Sequence, residues 1–265
     1  MKGKSLWFER LAMVLLVLVT LFIGASLFVV VVGGMASLKE ALLSQEVRFS
    51  IKLSLVTSVL STGICILTAL PCAYVLTRKE FPGKRIMEAV LSVPLSMPYL
   101  VLGLCLLILF SSPPGQFLKE LGFRIVFDPK GIIMAQLMVN LPFVIKMMTS
   151  AFGDVDRRLE FVAGTLGAGE WQRFRTITLG LCRREILSAC ILAWSRGMGE
   201  FGATLMLVGV TRMVTETLPA SIYLNISTGD NDMAMASASI LIVIAMVTML
   251  TTGMLEKKSR KVRRE

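Results

Sequence analysis

Histidine is absent from all 265 residues. Imidazole acid–base catalysis and His-ligated metal centres are therefore excluded for this chain. Cysteine is scarce: Cys65, Cys72, Cys105, Cys182 and Cys190 form no C-x-x-C pair, are odd in number and fall mostly inside apolar runs. They read as reduced packing residues, not as a disulfide frame or metal site. No G-x-x-x-x-G-K-[ST] string occurs, so the chain carries no P-loop, and any ATP that drives it is hydrolysed on another subunit. Charge is sparse as well, at 17% of residues.

What the chain has in quantity is apolar length. Hydrophobic residues make up 55% of the sequence and the mean hydropathy is +0.74, more than a soluble domain can bury. The excess falls into six runs, about 11–32, 51–76, 86–110, 131–152, 186–210 and 233–255, each near the ~20 residues that cross ~30 Å of hydrocarbon. An all-α integral membrane protein with about six transmembrane helices is expected, as a single transmembrane domain over 1–265. The first run is longer than the ~7–15 apolar residues of a signal peptide and no A-x-A site follows it, so it is expected to stay as a membrane helix.

Basic loop residues are retained in the cytoplasm and so set the orientation. With the N-terminus inside, the inner segments carry nineteen Lys and Arg and the outer segments seven. Both termini are expected on the cytoplasmic side of a plasma membrane. The net charge of +10 is mostly this asymmetry, and the basic C-terminal tail reads as a lipid-headgroup anchor; no nucleic acid is needed to explain it.

One polar cytoplasmic segment, about 154–185, is too long for a turn. Leu159, Val162, Ala163, Leu166, Trp171 and Phe174 recur in it at roughly helical spacing, with Glu160, Glu170, Arg173 and Arg175 between them. Gly167 and Gly169 divide it into two short helices. Two readings fit: an amphipathic helix lying on the bilayer, or a docking knob with Leu166, Trp171 and Phe174 as anchors.

The string LEFVAGTLGAGEWQRFRTITLG, 159–180, resembles the EAA-type loop of ABC importer permeases. Aligned on Gly167, Ile177, Thr178 and Leu179 follow at the family's interval, while Phe161 stands in place of the motif's Glu and Gly180 in place of its Pro. Glu160 lies one residue early. LPCAYVLTRKEFPGKR (70–85), VPLSMPYLVLGLCLL (93–107), GIIMAQLMVNLPFV (131–144), SRGMGEFGATLMLVG (195–209) and TLPASIY (217–223) look like the molybdate/tungstate branch, itself similar to the sulfate branch. The resemblance implies a type I importer permease fold whose loop is a coupling helix. Glu160, Phe161, Val162, Ala163, Gly164, Thr165, Leu166, Gly167 and Ala168, with Trp171 and Phe174, would then contact an ATPase. It also implies two ATPase subunits holding the ATP and Mg, an extracytoplasmic molybdate/tungstate-binding protein meeting outer loops such as 229–232, and a second copy of the chain.

Ionisable residues inside spans are expensive and therefore suspect. Arg196 and Glu200 stand at i and i+4 of the fifth span, with Thr204 one turn on, so one helical face carries all three. The face suits a static neutral pair; it also suits a pathway in which Arg196 attracts an oxyanion and Ser195 and Thr204 offer hydroxyls. Lys146 in the fourth span is expected to snorkel toward the inner end. Ser195, Gly199 and Ala203, beside Gly197 and Gly202, make a small-residue stripe suited to close packing or sliding. Pro94 and Pro98, with Pro71 and Pro142, are expected kink sites, and Met97, Phe201 and Met206 candidate constriction residues.

The expected function is inward transport of molybdate or tungstate, with sulfate or another oxyanion as the alternative. From another class, a membrane enzyme would need converging carboxylates, and Asp154, Asp156 and Glu160 are the candidates.

Overall fold

A computed structural model describes the backbone of residues 2–262 and the side chains of 7–251. The elements are α-helical: α1 (Lys2–Met35), α2 (Leu38–Leu43), α3 (Gln45–Arg78), α4 (Lys84–Ser96), α5 (Tyr99–Ser111), α6 (Pro113–Glu120), α7 (Pro129–Gly153), α8 (Arg157–Thr165), α9 (Glu170–Arg173), α10 (Leu179–Leu181), α11 (Arg183–Met198), α12 (Gly202–Val208), α13 (Leu218–Ser227) and α14 (Asn231–Val262). A π-turn, Phe174–Thr178, joins α9 to α10.

Four helical stretches are long and apolar enough to cross a bilayer: Trp7–Met35, Gln45–Arg78, Pro129–Gly153 and Asn231–Thr251. They coincide with the first, second, fourth and sixth runs. The third run is not the single helix expected, because α4 and α5 meet at 118°. Pro98 lacks the N–H a continuing helix needs and pushes Met97 into an extended conformation (φ −94°, ψ 145°), so the chain turns there. Pro94, Pro71 and Pro142 are accommodated inside helices. The fifth run is also interrupted: α11 ends at Met198 and α12 begins at Gly202. Gly199 and Gly202 are poor helix residues, and the Glu200 carboxylate takes the backbone N–H groups of Ala203 and Thr204, capping a new helix instead of extending the old one.

The bundle is organised around α3, whose buried face is built from small residues at helical intervals: Ser50, Ser54, Thr57, Ser61, Cys65, Ala69 and Ala73. Lipid supplies no hydrophobic drive between helices, so close backbone approach and interhelical hydrogen bonds hold them together. Both are present. Ser61 donates to Gln136 Oε1 (2.7 Å), Gln136 donates to the Gly197 carbonyl (2.9 Å), and Asn140 donates to the Ala193 carbonyl (3.0 Å), which ties α3, α7 and α11 at mid-length. An apolar cluster around Val144, Met148 and Phe152 fills the half of the bundle next to α8, and another around Leu102, Ile132 and Leu207 fills the other half. Helix α1 lies at the periphery with its apolar side chains exposed, as suits a lipid-facing span; its Gly33 and Gly34 abut Met235 and Ser239 of α14.

Gly103 of α5 sits so close to α12 that a methyl placed on it would lie 2.5 Å from the Ala203 carbonyl oxygen. Gly103→Val should therefore lower the unfolding temperature of the solubilised protein by roughly 3–10 °C through overpacking. Gly63→Ala, whose added carbon meets nothing within 4 Å, should leave it unchanged or slightly raised.

Candidate functional site

The C-terminal ends of α3 and α7 carry a small folded knob. Asp156 starts α8 by accepting from the Arg158 N–H (2.9 Å). Gly167 ends it in the left-handed region (φ +90°), where Gly167 N–H bonds to the Gly164 carbonyl and Ala168 N–H to the Ala163 carbonyl, the two bonds of a Schellman stop. Gly169 then caps α9. The division at Gly167 and Gly169 is where the sequence placed it.

What the knob displays and what it hides differ from the sequence expectation. Leu166 is 84% exposed, Phe161 71% and Trp171 69%, with Leu159, Val162, Thr165 and Gly167 exposed beside them. Ala163, Gly164 and Ala168 are half-buried. Two residues assigned to the outer surface point inward. Phe174 is buried against Tyr74 (ring centroids 4.7 Å apart) and Phe152, so it anchors the knob to the bundle and presents nothing outward. Glu160 is buried too: Arg78 at the end of α3 holds it (2.9 Å), and Thr178 of the π-turn donates to the same carboxylate oxygen (2.6 Å). Glu160, one residue before Phe161, thus braces the knob against α3 and the π-turn.

Further polar links surround that pair. Arg78 also reaches the Val155 carbonyl (3.2 Å), Arg157 the Thr77 carbonyl (2.9 Å), and Lys79 pairs with Glu170. The hydrogen bond from Lys79 holds the Glu170 carboxyl below its ordinary value. Burial pushes the Cys182 thiol up to about 11, in keeping with a packing role. Asp156 is occupied as a cap and Glu160 as the partner of Arg78; Asp154 and Asp156 share a cleft of about 480 Å³ with Glu185, and Glu160 is not among its lining residues.

A second cluster lies midway through the bundle, and here the expected Arg196–Glu200 pair does not form. The helix break turns Glu200 into the N-terminus of α12, where the Thr204 hydroxyl also donates to it. That consumes the hydroxyl read as a pathway donor. Arg196 instead donates to Tyr99 Oη (2.7 Å) and Asn140 Oδ1 (3.4 Å), with its guanidinium carbon 4.7 Å from the Phe143 ring centroid. Among the described residues no carboxylate pairs with it. Ser195 is half-buried beside it, and Gly199, at the turn, is exposed. Gly197 packs on Asn140, Ser58 and Gln136, and Gly202 on Tyr99 and Leu100, so the small-residue stripe serves close packing on both sides of the break. Met97 and Met206 lie in or beside the apolar cluster around Leu102, and Phe201 stacks on Tyr223 (5.4 Å).

Tyr99, Asn140 and Phe143 were not singled out from the sequence. The signal available was that three non-consecutive segments each place a polar or aromatic residue near the middle of an apolar run. Lys146 is exposed and lines a cleft of about 350 Å³ with Glu88, Thr149 and Ser150. On the opposite side of the bundle, Arg212 bridges Glu46, Glu216 and Asn225, beside an open cleft of about 900 Å³ lined by α2 and Met213.

Charge placement limits what such a bundle can face. A guanidinium at mid-depth costs about 2.5–3.5 kcal/mol in hydrocarbon even on the lenient insertion scale, so the Arg196 face is turned to protein or water and not to lipid.

The chain was compared with known proteins. Residues 65–261 match the family model described as "Binding-protein-dependent transport system inner membrane component". The molybdate/tungstate transport system permease protein WtpB of Pyrococcus furiosus is 36% identical over 188 residues, 70% of this chain and 71% of that protein. The molybdenum transport system permease protein ModB of Escherichia coli K12 is 34% identical over 227 residues, 82% of this chain and 95% of that protein. Among solved structures, a chain of a bacterial alginate ABC transporter, crystallised with an alginate pentasaccharide-bound periplasmic protein, superposes with a TM-score of 0.77 over 98% of this chain and 96% of that one. At 16% identity that likeness concerns the fold. With three quarters of its length inside the family model, the chain belongs to the binding-protein-dependent transport system inner membrane component family.

Proposed function

We propose that this chain is the permease subunit of an ATP-driven importer of molybdate or tungstate, working as a homodimer with two ATPase subunits on its α8–α9 knob and an extracytoplasmic binding protein on its outer face. The names and similarity of the relatives from Pyrococcus furiosus and Escherichia coli support the cargo class. Residues 1–265 act as one unit, with both termini inside.

The observation that carries the coupling is the knob itself. Leu166, Phe161 and Trp171 are large apolar side chains held in water beyond the membrane helices, on a short stem braced by a buried ion pair. A rigid projecting cluster of this kind fits a cleft in a partner, with the aromatic and leucine anchors central to the contact. Because Arg78 is the last residue of α3, a push on α8 is delivered through Glu160 to the helix around which the bundle packs.

ATP is needed for an electrostatic reason. A membrane potential of 100 mV opposes the entry of a dianion by about 4.6 kcal/mol, so an open pore would leak the cargo outward. One gate must stay shut at all times. The bend at Pro98 and the break at Gly199–Phe201 are the joints available to the bundle for such gating. The outer cleft beside α2 and Met213 offers the surface for a binding protein.

Leu166→Asp should abolish ATP-dependent tungstate uptake in proteoliposomes while the chain still inserts and purifies as a folded protein; unchanged uptake would remove α8 from the coupling contact. Glu160→Gln leaves Arg78 unneutralised in a buried site, which should cost about 3–5 kcal/mol locally. Trypsin should then cut between Arg157 and Arg175 at least tenfold faster than in the unsubstituted chain, and equal rates would show that the ion pair does not hold the knob.

A further inference from the structure

We propose that Arg196, Tyr99 and Asn140 form a transient station for a tetrahedral oxyanion midway across the membrane. The inference rests on the permease reading above and adds the side chains the cargo meets.

Depth is given by three elements independently. Arg196 lies thirteen residues into α11, about 20 Å from its cytoplasmic start at a rise of ~1.5 Å per residue. Asn140 stands at the middle of α7, and Tyr99 at the elbow between α4 and α5. The guanidinium is therefore near the centre of a ~30 Å apolar layer, and no carboxylate among the described residues neutralises it. Glu200, the one acid close in sequence, is spent on the N-terminus of α12.

The surroundings hold the cation without cancelling it. Phe143 stacks on one face of the guanidinium and fixes its plane, and Asn140 Oδ1 accepts from Nε. Tyr99 Oη accepts from one terminal nitrogen, which leaves its own proton free to donate. The other terminal nitrogen has no protein acceptor among the described residues. One guanidinium terminal nitrogen and the Tyr99 hydroxyl thus keep donor capacity that the described residues do not use, and a dianion with tetrahedrally placed oxygens suits it through charge-assisted hydrogen bonds. Few contacts suit a station: cargo must be attracted strongly enough to enter and weakly enough to leave. The site lies where the bend at Pro98 meets the end of α11, so movement at either joint would open or close it.

The test uses the whole transporter, permease with its co-purifying ATPase and binding protein, in proteoliposomes supplied with ATP and tungstate. Arg196→Gln should reduce the uptake rate at least tenfold, and Arg196→Lys, which keeps the charge but loses the planar fork and its stacking, should recover part of it, at least threefold above Arg196→Gln. Tyr99→Phe should lower it two- to fivefold. Uptake by Arg196→Gln within twofold of the original chain overturns the station, as does an Arg196→Lys protein as impaired as Arg196→Gln, which would indicate a purely structural requirement for arginine. Should Arg196→Gln fail to co-elute with the ATPase, Tyr99→Phe decides, and undiminished uptake by it overturns the proposal. A failure of the unsubstituted complex to take up tungstate would instead strike the permease reading, and the station with it.

Discussion

A charge inside an apolar protein must be matched, and the match between Arg78 and Glu160 determines where the cytoplasmic knob stands. Arg78 ends α3, whose buried face packs on α7 and α11, and Glu160 lies in the first turn of α8. Breaking that link would leave a buried ion without its counter-charge and the knob held by Phe174, the Arg157–Thr77 and Arg78–Val155 hydrogen bonds and the exposed Lys79–Glu170 pair. The pair is therefore both an anchor and a rod: it fixes α8 in place and makes any displacement of α8 a displacement of α3.

The same rule orders the rest of the molecule. At the end of the bundle away from the knob Arg212 gathers Glu46, Glu216 and Asn225, tying the start of α3 to α13 and the loop before it. At mid-depth the ties are neutral, with Gln136 and Asn140 bonding α7 to α3 and α11. Arg196 departs from that pattern, held by an aromatic face and two neutral oxygens with no carboxylate partner among the described residues. The braces lie at the two ends, and the unmatched cation lies between them beside the joints. That is a sensible distribution for a machine whose ends must stay rigid while its middle yields.

Much of this was legible in the chain. Long apolar runs fall where four straight spans form, because segment length and hydropathy alone decide whether a helix can cross. The knob's division at Gly167 was readable because only a residue tolerant of positive φ stops a helix in that way. The third and fifth spans were misread as continuous. Pro98 was noted as a kink, but whether proline bends a helix or ends it depends on the packing around it, and α4 and α5 separate completely. For Glu200, the i, i+4 rule presumed an unbroken helix; once the helix breaks, backbone N–H groups compete for the carboxylate and prevail. Tertiary pairing hid the rest. Nothing local to Glu160 names Arg78, eighty-two residues earlier, as its partner, and nothing local to Phe174 tells it apart from Trp171 three positions before it.

The central claim is that α8 is gripped by a separate motor. It is tested most directly by incorporating a photo-reactive benzophenone amino acid in place of Leu166 and illuminating membranes that contain the assembled transporter. The account predicts a covalent product between this chain and its ATPase subunit, formed at position 166 and absent when the probe is placed at buried Phe174. Adducts to lipid alone, with the ATPase present and unmodified, would contradict it.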